Sequence, residues 1–344
     1  MAEARVSHTA TALNDGTVLI VGGANRSGVA RSAELFDPRT NTFAKTGFPI
    51  QLRYLHTATL LSDGRVLLVG GIGRANIPLG DAEIYDPKSR TFIFAAKLNY
   101  PRYWHAATLL LDGRVLISGG YRTGQMARIA EIYDPLANRF TVVANLLYAR
   151  AGHFALRLPN GNVVVVGGRG YDYARPDFFW ETKYAEAEVF DVRRNAFTRT
   201  DNTVGSRLES AAVTLPDGRP AFFGGGGGVI LQTTNIYDPA TGTFLYLDGP
   251  GPRRLHTATL MKNGYVMMIG GLGLRNQFDS ILNNTEVFDS TSGSFLIPAI
   301  TSSSFLKEAR HSHTATLLPD GRILVAGGLN RSGALASAEI LVPQ

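Results

Sequence analysis

One stretch of nineteen residues, RYWHAATLLLDGRVLISGG from Arg102 to Gly120, is repeated along the whole chain. Closely similar copies span residues 53–71, 253–271 and 310–328, and weaker copies fill the intervals. Aligned on the double glycine that ends the stretch, the first glycines of the seven units are Gly22, Gly70, Gly119, Gly167, Gly224, Gly270 and Gly327. Units spaced by 46–57 residues indicate an array in which each unit packs on its neighbours.

Each unit carries the signals of four short antiparallel strands, which we call a to d. An Asp-Gly or Asn-Gly pair, at 63–64 in the second unit, predicts a tight hairpin turn with positive φ angles between strands a and b. The following run, 66–69, is apolar at every position and indicates a strand buried on both faces. Residues 82–85 predict strand c, which Asp-Pro at 86–87 ends because proline cannot donate to a ladder. The segment around Phe92 predicts strand d.

Four strands in a unit of about fifty residues is the period of kelch repeats, and the chain resembles kelch-repeat β-propeller proteins of the bacterial type. The double glycine closes strand b in all seven units. The aromatic-Asp-Pro end of strand c is intact at 85–87, 133–135 and 237–239. The outer aromatic residue, tryptophan in many family members, is here Phe43, Phe92, Phe140, Phe197, Phe244 and Phe295.

This resemblance covers nearly the whole chain and implies an all-β fold, a seven-bladed β-propeller of four-stranded blades in a single domain, 1–344. The seventh unit stops after strand c, so we expect its blade to have three strands or only a fragment of a fourth. A fold does not determine an activity. The expected units are approximately 5–47, 48–96, 97–144, 145–201, 202–247, 248–304 and 305–344.

Composition excludes several classes of function. The 344 residues include no cysteine, which excludes disulfides and thiolate metal sites. The formal net charge is +6, and no Lys/Arg-rich run indicates nucleic-acid binding. We expect no membrane span, since no apolar run reaches roughly 18 residues. The first residues lack the apolar core of a signal peptide, so the protein is either cytoplasmic or exported with a leader absent from this chain. The oligomeric state is left open.

No motif assigns a cofactor, a metal or a reaction. The Gly-rich segments follow strands but precede no helix, which excludes a dinucleotide-binding turn. His311 and His313 lie on one strand face without a third ligand nearby, which is weak evidence for a metal. Galactose-oxidase-like enzymes share the seven-bladed kelch-type scaffold, but their radical cofactor requires a cysteine linked to a tyrosine. The resemblance therefore implies their scaffold without their catalytic residues, and we expect no cofactor and no metal.

An arginine stands three residues before the histidine position in every unit. Strand a is the innermost strand of a kelch blade, so these arginines would surround the mouth of the central channel. They could focus a positive potential and bind a carboxylate, sulfate or phosphate. In the alternative, each pairs with a strand-c glutamate or a loop carbonyl and is structural. The candidates are Arg5, Arg53, Arg102, Arg150, Arg207, Arg253 and Arg310.

Unit five departs from the others at two positions. Ser210 stands where the other units have histidine, and Asn235 stands where they have a strand-c glutamate. Since both changes fall in one unit, the simplest interpretation is that the histidine and the glutamate are partners. The alternative is that unit five forms a notch that admits a ligand.

Three long connections, 169–185, 272–284 and 296–308, would project from one face of the propeller, because b–c and d–a loops lie together. Aromatic side chains on such loops favour a ligand surface, and the alternative is a satellite core folded over a neighbouring blade. The aromatic candidates are Tyr171, Tyr173, Phe179 and Trp180 in the first connection, and Tyr103 and Trp104 before strand a of unit three.

Two functions fit these observations. The first is a non-enzymatic binding or scaffold propeller that recognises a protein, a peptide or an acidic (anionic) glycan on the face of the d–a and b–c loops. The alternative is a carbohydrate-active enzyme, a lyase or hydrolase, with its site at the same channel mouth. Whether the chain is an enzyme is not decided by its sequence, although the absence of a catalytic motif favours binding.

Overall fold

The computed structural model describes residues 1–170, 182–183, 186–203, 207–226, 229–275, 278–296 and 305–343. Seven antiparallel sheets follow one another along the chain, six with four strands and the last with three. Strand a of each sheet contacts strand a of the sheets on both sides, and the seventh contacts the first. The protein is a seven-bladed β-propeller, and its last blade has three strands within the described residues, as the sequence predicts.

Strands a and b form the inner half of each blade. Strand a spans Thr9–Ala12, Thr57–Leu60, Ala106–Leu109, Phe154–Arg157, Ala211–Thr214, Thr257–Leu260 and Thr314–Leu317. Strand b spans Val18–Val21, Val66–Val69, Val115–Ser118, Val163–Val166, Pro220–Phe223, Tyr265–Ile269 and Ile323–Ala326.

Strands c and d form the outer half. Strand c spans Ala33–Asp37, Ala82–Asp86, Ala130–Asp134, Glu186–Asp191, Thr233–Asp238, Thr285–Asp289 and Ala338–Leu341. Strand d spans Thr42–Lys45, Thr91–Phe94, Arg139–Val142, Ala196–Thr203, Thr243–Asp248 and Ser294–Leu296.

Strand b carries the core on both of its faces. All four residues of Val66–Val69 are buried, and the same holds for Val163–Val166. Their side chains alternate between two apolar clusters, since Val66 and Leu68 pack towards blade 1 while Leu67 and Val69 pack towards blade 3. The continuous apolar runs of the sequence are therefore explained, because each blade is covered by a neighbour on either side.

The core consists of seven such clusters, one at each junction between blades. The cluster that closes the ring joins Val18, Ile20 and Phe36 of blade 1 to Leu318 and Leu324 of blade 7. At the end of strand c an aromatic ring lies against the phenylalanine of strand d, as in the pair of Tyr85 and Phe92, whose ring centroids are 4.8 Å apart. Burial of apolar surface at every junction stabilises the ring.

The turn between strands a and b differs in one detail from the prediction. Gly16 has a φ of 86°, while the preceding Asp15 is not among the residues with positive φ. The Asp15 carboxylate instead accepts the backbone N–H of Thr17 at 2.9 Å. Glycine alone thus supplies the left-handed conformation, and the aspartate completes the turn by a local side-chain hydrogen bond.

Short ribbons extend from the b–c connections at the other end of the blades. One 3₁₀ turn spans Arg74–Asn76. Within the described ranges no helix has the length and apolar character needed to cross a membrane. Three ribbons have two strands and pair Ala24–Asn25 with Gly28–Val29, Tyr121–Arg122 with Gln125–Met126, and Leu329–Asn330 with Gly333–Ala334. Two have three strands: Arg169–Gly170 lies between Arg150–Ala151 and Thr182–Lys183, and Leu272–Arg275 lies between Arg253–Arg254 and Phe278–Ile281.

Candidate functional site

The seven repeated arginines are buried inside the blades, each with an exposed fraction of 1% or less. In unit two, Arg53 Nη1 donates to the carbonyl of Gly70 at 2.7 Å, and Nη2 contacts Glu83 Oε1 at 2.6 Å. The same arrangement recurs along the chain. Six of the arginines form ion pairs with a strand-c glutamate: Arg5 with Glu34, Arg53 with Glu83, Arg102 with Glu131, Arg150 with Glu188, Arg253 with Glu286 and Arg310 with Glu339.

The strand-c glutamate holds the loop that enters the blade. Glu83 accepts the backbone N–H groups of Ile50 and Gln51, each at 2.8 Å, in addition to the guanidinium of Arg53. Glu131 receives Asn99 N–H at 2.9 Å in the same way. Each carboxylate therefore ties the d–a loop to strand c, and the geometry favours the structural role of the arginines over a ring of exposed anion-binding groups.

The histidines do not pair with the glutamates, so that interpretation of the sequence was wrong. His56 Nε2 lies 3.1 Å from the hydroxyl of Thr9 in the preceding blade, and His105 Nε2 lies 2.8 Å from Thr57. Burial, with a smaller contribution from the nearby Arg102, lowers the pKa of His105 to about 3. Four of the imidazoles are thus neutral polar links between adjacent strands a. His153 instead bonds to Ser118 of strand b in blade 3, and His256 has no hydrogen-bond partner among the described residues.

The serine of unit five is explained by the blade before it. The residue that follows the histidine position is Thr9 in unit one and Phe154 in unit four, and this residue faces the next blade. Phe154 packs against the cluster between blades 4 and 5, with its ring 6.1 Å from that of Phe222. A bulky phenyl ring on one side of the junction is thus combined with the small Ser210 on the other.

The residues immediately before the histidine position form a ring at the channel mouth, which we call the rim. All seven have φ between 53° and 65°, which is the left-handed region. Backbone hydrogen bonds of 2.7–3.2 Å join neighbouring members at five of the seven junctions. Within the described residues no such bond joins Gly152 to Glu209 or Ser312 to Ser7. The rim residues are Ser7, Leu55, Trp104, Gly152, Glu209, Leu255 and Ser312.

An aromatic patch lies on the rim at blade 3. Trp104 has an exposed fraction of 36%, which is high for so large an apolar side chain. Its ring centroid lies 6.3 Å from that of Tyr103, and Tyr103 lies 5.4 Å from Tyr121. The Arg169 guanidinium stands over the indole at 5.5 Å from its centroid, a cation–π distance.

Charged side chains continue the patch across blades 4 to 6. Glu209 Oε1 lies 3.5 Å from Arg169 Nη2, and Glu209 Oε2 accepts a hydrogen bond from Arg254 Nη1 at 2.9 Å. Burial, and then the charge of Arg254, lowers the pKa of the neighbouring His311. We call Tyr103, Trp104, Tyr121, Arg169, Glu209 and Arg254 the rim cluster.

The structure thus brings together some of the predicted site residues and separates others. Tyr103 and Trp104 belong to the rim cluster, whereas the seven repeated arginines are interior. Sequence reasoning missed Tyr121, Arg169, Glu209 and Arg254. The sequence does carry a signal for Glu209 and Arg254. They occupy the two positions between the repeated arginine and the histidine position, and the pair of residues at these positions differs in every unit. Tyr171, Tyr173, Phe179 and Trp180 lie outside the described residues.

Comparisons with known proteins agree with this architecture. A family model described as Kelch motif matches residues 53–99. A solved structure of a fungal alcohol oxidase of the AA5 family, in complex with copper, aligns with a TM-score of 0.76 and 18% sequence identity over 99% of this chain and 74% of that one. No curated protein matches the sequence significantly. The chain is a kelch-type β-propeller, and an identity of 18% establishes a shared fold and not a shared activity.

The copper ion of that structural relative provides a test of the ligands present here. Copper sites combine imidazole with thiolate or other clustered donors. In the part of the chain that the structure describes, no three His, Asp or Glu side chains are grouped so that they could hold a metal ion. The chain has no cysteine. The described His, Asp and Glu side chains therefore form no site for a copper ion, and we derive no chemistry through one.

Proposed function

We propose that this protein is a non-enzymatic binding propeller whose ligand, a protein segment, a peptide or an acidic glycan, lies on the face of the d–a and b–c loops. The observation that carries the proposal is the rim cluster. It presents a partly exposed indole, two further aromatic rings, two guanidiniums and one carboxylate around the channel mouth. Aromatic and arginine side chains are the groups that dominate the binding energy of protein interfaces.

Two further features support this assignment. Kelch repeats commonly mediate protein interactions, and the family match covers one complete repeat. The residues of the rim cluster come from four different blades, and apart from Tyr103, which has Tyr54 as its counterpart in unit two, they differ from their counterparts in the other units, while the buried network beneath them is repeated. A constant interior with a variable rim is the arrangement expected of a scaffold that carries a specific surface. The net charge of +6 favours an acidic ligand over a basic one.

Trp104→Leu tests the proposal with little disturbance of the fold, because leucine occupies the equivalent rim positions at Leu55 and Leu255. Glycan and peptide arrays would identify a ligand for the wild-type protein. We expect Trp104→Leu to weaken its affinity by tenfold or more, roughly the loss typical of an interface hot spot. Leu55→Ser is the matched control, since serine occupies the same rim position in units one and seven.

Equal affinity of Trp104→Leu and the wild-type protein for every ligand found would show that the rim cluster is not the binding surface. The same ligands, incubated with the protein and analysed for products, test the non-enzymatic part of the proposal. If the wild-type protein converted a glycan to products and Trp104→Leu did not, the protein would be a carbohydrate-active enzyme with its site at the rim cluster, and not a binding module.

A further inference from the structure

Unit five differs from the other blades in the electrostatics of its buried arginine. Arg207 is fully buried, yet its hydrogen-bond partners among the described residues are all neutral oxygens. Its Nη1 donates to the carbonyl of Gly224 at 2.7 Å, its Nη2 donates to the hydroxyl of Thr233 at 2.9 Å, and its Nε donates to Asn235 Oδ1 at 2.8 Å. Among the described residues no carboxylate contacts it. Burial lowers the pKa of its guanidinium to about 10.

The orientation of the Asn235 amide is determined by these contacts. Both Nε and Nη2 of Arg207 donate to Asn235 Oδ1, so the other end of the amide is the NH₂ group. Asn235 has an exposed fraction of 1%, and among the described residues its Nδ2 has no hydrogen-bond partner. A buried amide donor without an acceptor is unfavourable, as is a buried cation without a counter-charge.

In the other units a strand-c glutamate occupies the position of Asn235 and supplies the negative charge that unit five lacks. In unit two the Glu83 carboxylate neutralises Arg53 and also accepts two backbone N–H groups from the entering loop. Units one and seven have a serine hydroxyl that contacts the arginine, like Thr233, and they retain the glutamate as well. Asparagine is shorter than glutamate by one methylene group and carries no charge. The second carboxylate oxygen, an acceptor in the other units, is therefore replaced by an NH₂ donor in unit five.

We propose that unit five binds a small anion, of the size of chloride or formate, at the NH₂ end of the Asn235 amide, close to the Arg207 guanidinium. The anion would accept a hydrogen bond from Asn235 Nδ2 and neutralise the buried guanidinium, as a glutamate carboxylate does in the other blades. Burial of both side chains restricts the site to small anions. This inference is independent of the proposed ligand surface, because it concerns the interior of one blade and none of the rim cluster.

Thermal unfolding at constant ionic strength tests the site, with sodium gluconate replaced stepwise by chloride or by formate. Gluconate is too large for a buried position. We expect the melting temperature of the wild-type protein to rise saturably by about 2–4 °C with the small anions. Asn235→Glu supplies the missing carboxylate, so its melting temperature should exceed that of the wild-type protein in gluconate and should not respond to chloride or formate.

Glu83→Asn is the converse variant, because it creates in unit two the combination found in unit five. Chloride or formate should raise the melting temperature of Glu83→Asn by more than it raises that of the wild-type protein, because the variant has two anion sites. An identical anion response of the wild-type protein and Asn235→Glu would overturn the proposal, since the anion would then act elsewhere.

A crystal grown in bromide gives a readout that does not depend on stability. An anomalous peak within hydrogen-bonding distance of Asn235 Nδ2 is expected in the wild-type protein and not in Asn235→Glu. This measurement tests the anion site of unit five even if Glu83→Asn does not fold. Absence of the peak from the wild-type protein in saturating bromide would contradict the site.

Discussion

Six of the seven repeated arginines have a glutamate from the same blade beside them in the interior. The contact between Arg102 Nη2 and Glu131 Oε1 is 2.7 Å, with both side chains fully buried. A pair of this kind owes little of its stability to attraction alone, because both ions have lost their hydration. Removal of only one of the two ions strongly lowers the stability of the protein, because the ion that remains is buried without a counter-charge.

Glu131→Gln should therefore lower the free energy of unfolding by about 3–5 kcal/mol. The physical reason is the uncompensated guanidinium of Arg102, together with the weakened anchor of the loop at Asn99. Urea unfolding measures the change. Asp112→Asn is a suitable control, because the Asp112–Arg114 pair is largely exposed, and its loss should cost only about 0–1 kcal/mol. Equal effects of the two substitutions would contradict the internal role of Glu131.

At the scale of the element, the double glycine at the end of strand b sets the distance between neighbouring blades. Gly119 has a φ of 57°, and a Cβ atom there would lie 2.5 Å from the carbonyl oxygen of Arg150 in the next blade. The conformation and the close approach both require glycine. Gly124, in the b–c ribbon of the same blade, shares the positive φ at 77° but has no atom within 4 Å of such a Cβ.

This pair of glycines separates backbone strain from interblade contact. Alanine at either position pays the left-handed penalty of roughly 1–2 kcal/mol. Gly119→Ala must in addition displace the backbone of blade 4, which should add about 1–3 kcal/mol of destabilisation. Chemical denaturation of the two variants in parallel measures the difference. A loss of stability for Gly124→Ala as large as that for Gly119→Ala would show that contact between the blades is not the controlling factor.

At the scale of the whole molecule, the ring contains six imidazoles that are held neutral between blades. Burial is the largest cause of the lowered pKa at His8, His105 and His313, each to about 3, and the other three are lowered in the same direction. The set is His8, His56, His105, His153, His256 and His313. Because the folded protein resists protonation at these positions while the unfolded chain takes up protons near pH 6.5, acid favours unfolding.

The lowered pKa values of the buried histidines make the folded protein less stable in acid. Above a pH of about 6.5 the imidazoles are neutral in both states, and stability is fully present. As the pH falls from there towards 3, each buried histidine removes up to about 1.4 kcal/mol per pH unit. Urea unfolding between pH 7.5 and 5 should give a steep loss of stability. His256→Ser, which reproduces the residue of unit five, should reduce the proton uptake on unfolding by about one, and an unchanged slope would contradict the assignment.

The sequence by itself determined the number of blades, the four-strand unit, the hairpin turns and the three strands described for the last blade. These features depend on signals that lie within one unit, such as the apolar run of strand b, the Asp-Gly turn and the Asp-Pro that ends strand c. Turn chemistry and burial on both faces act over a few residues, so they can be read without knowing the neighbouring blades.

Only the tertiary structure decided where the repeated side chains point and which of them meet. Arg53 reaches a carboxylate 30 residues away, and His56 reaches a threonine 47 residues away in another blade. Trp104, Arg169 and Glu209 become neighbours because the ring places the start of strand a in blades 3 and 5 beside the end of strand b in blade 4. Such contacts are set by the packing of whole sheets, which no local spacing in the sequence specifies.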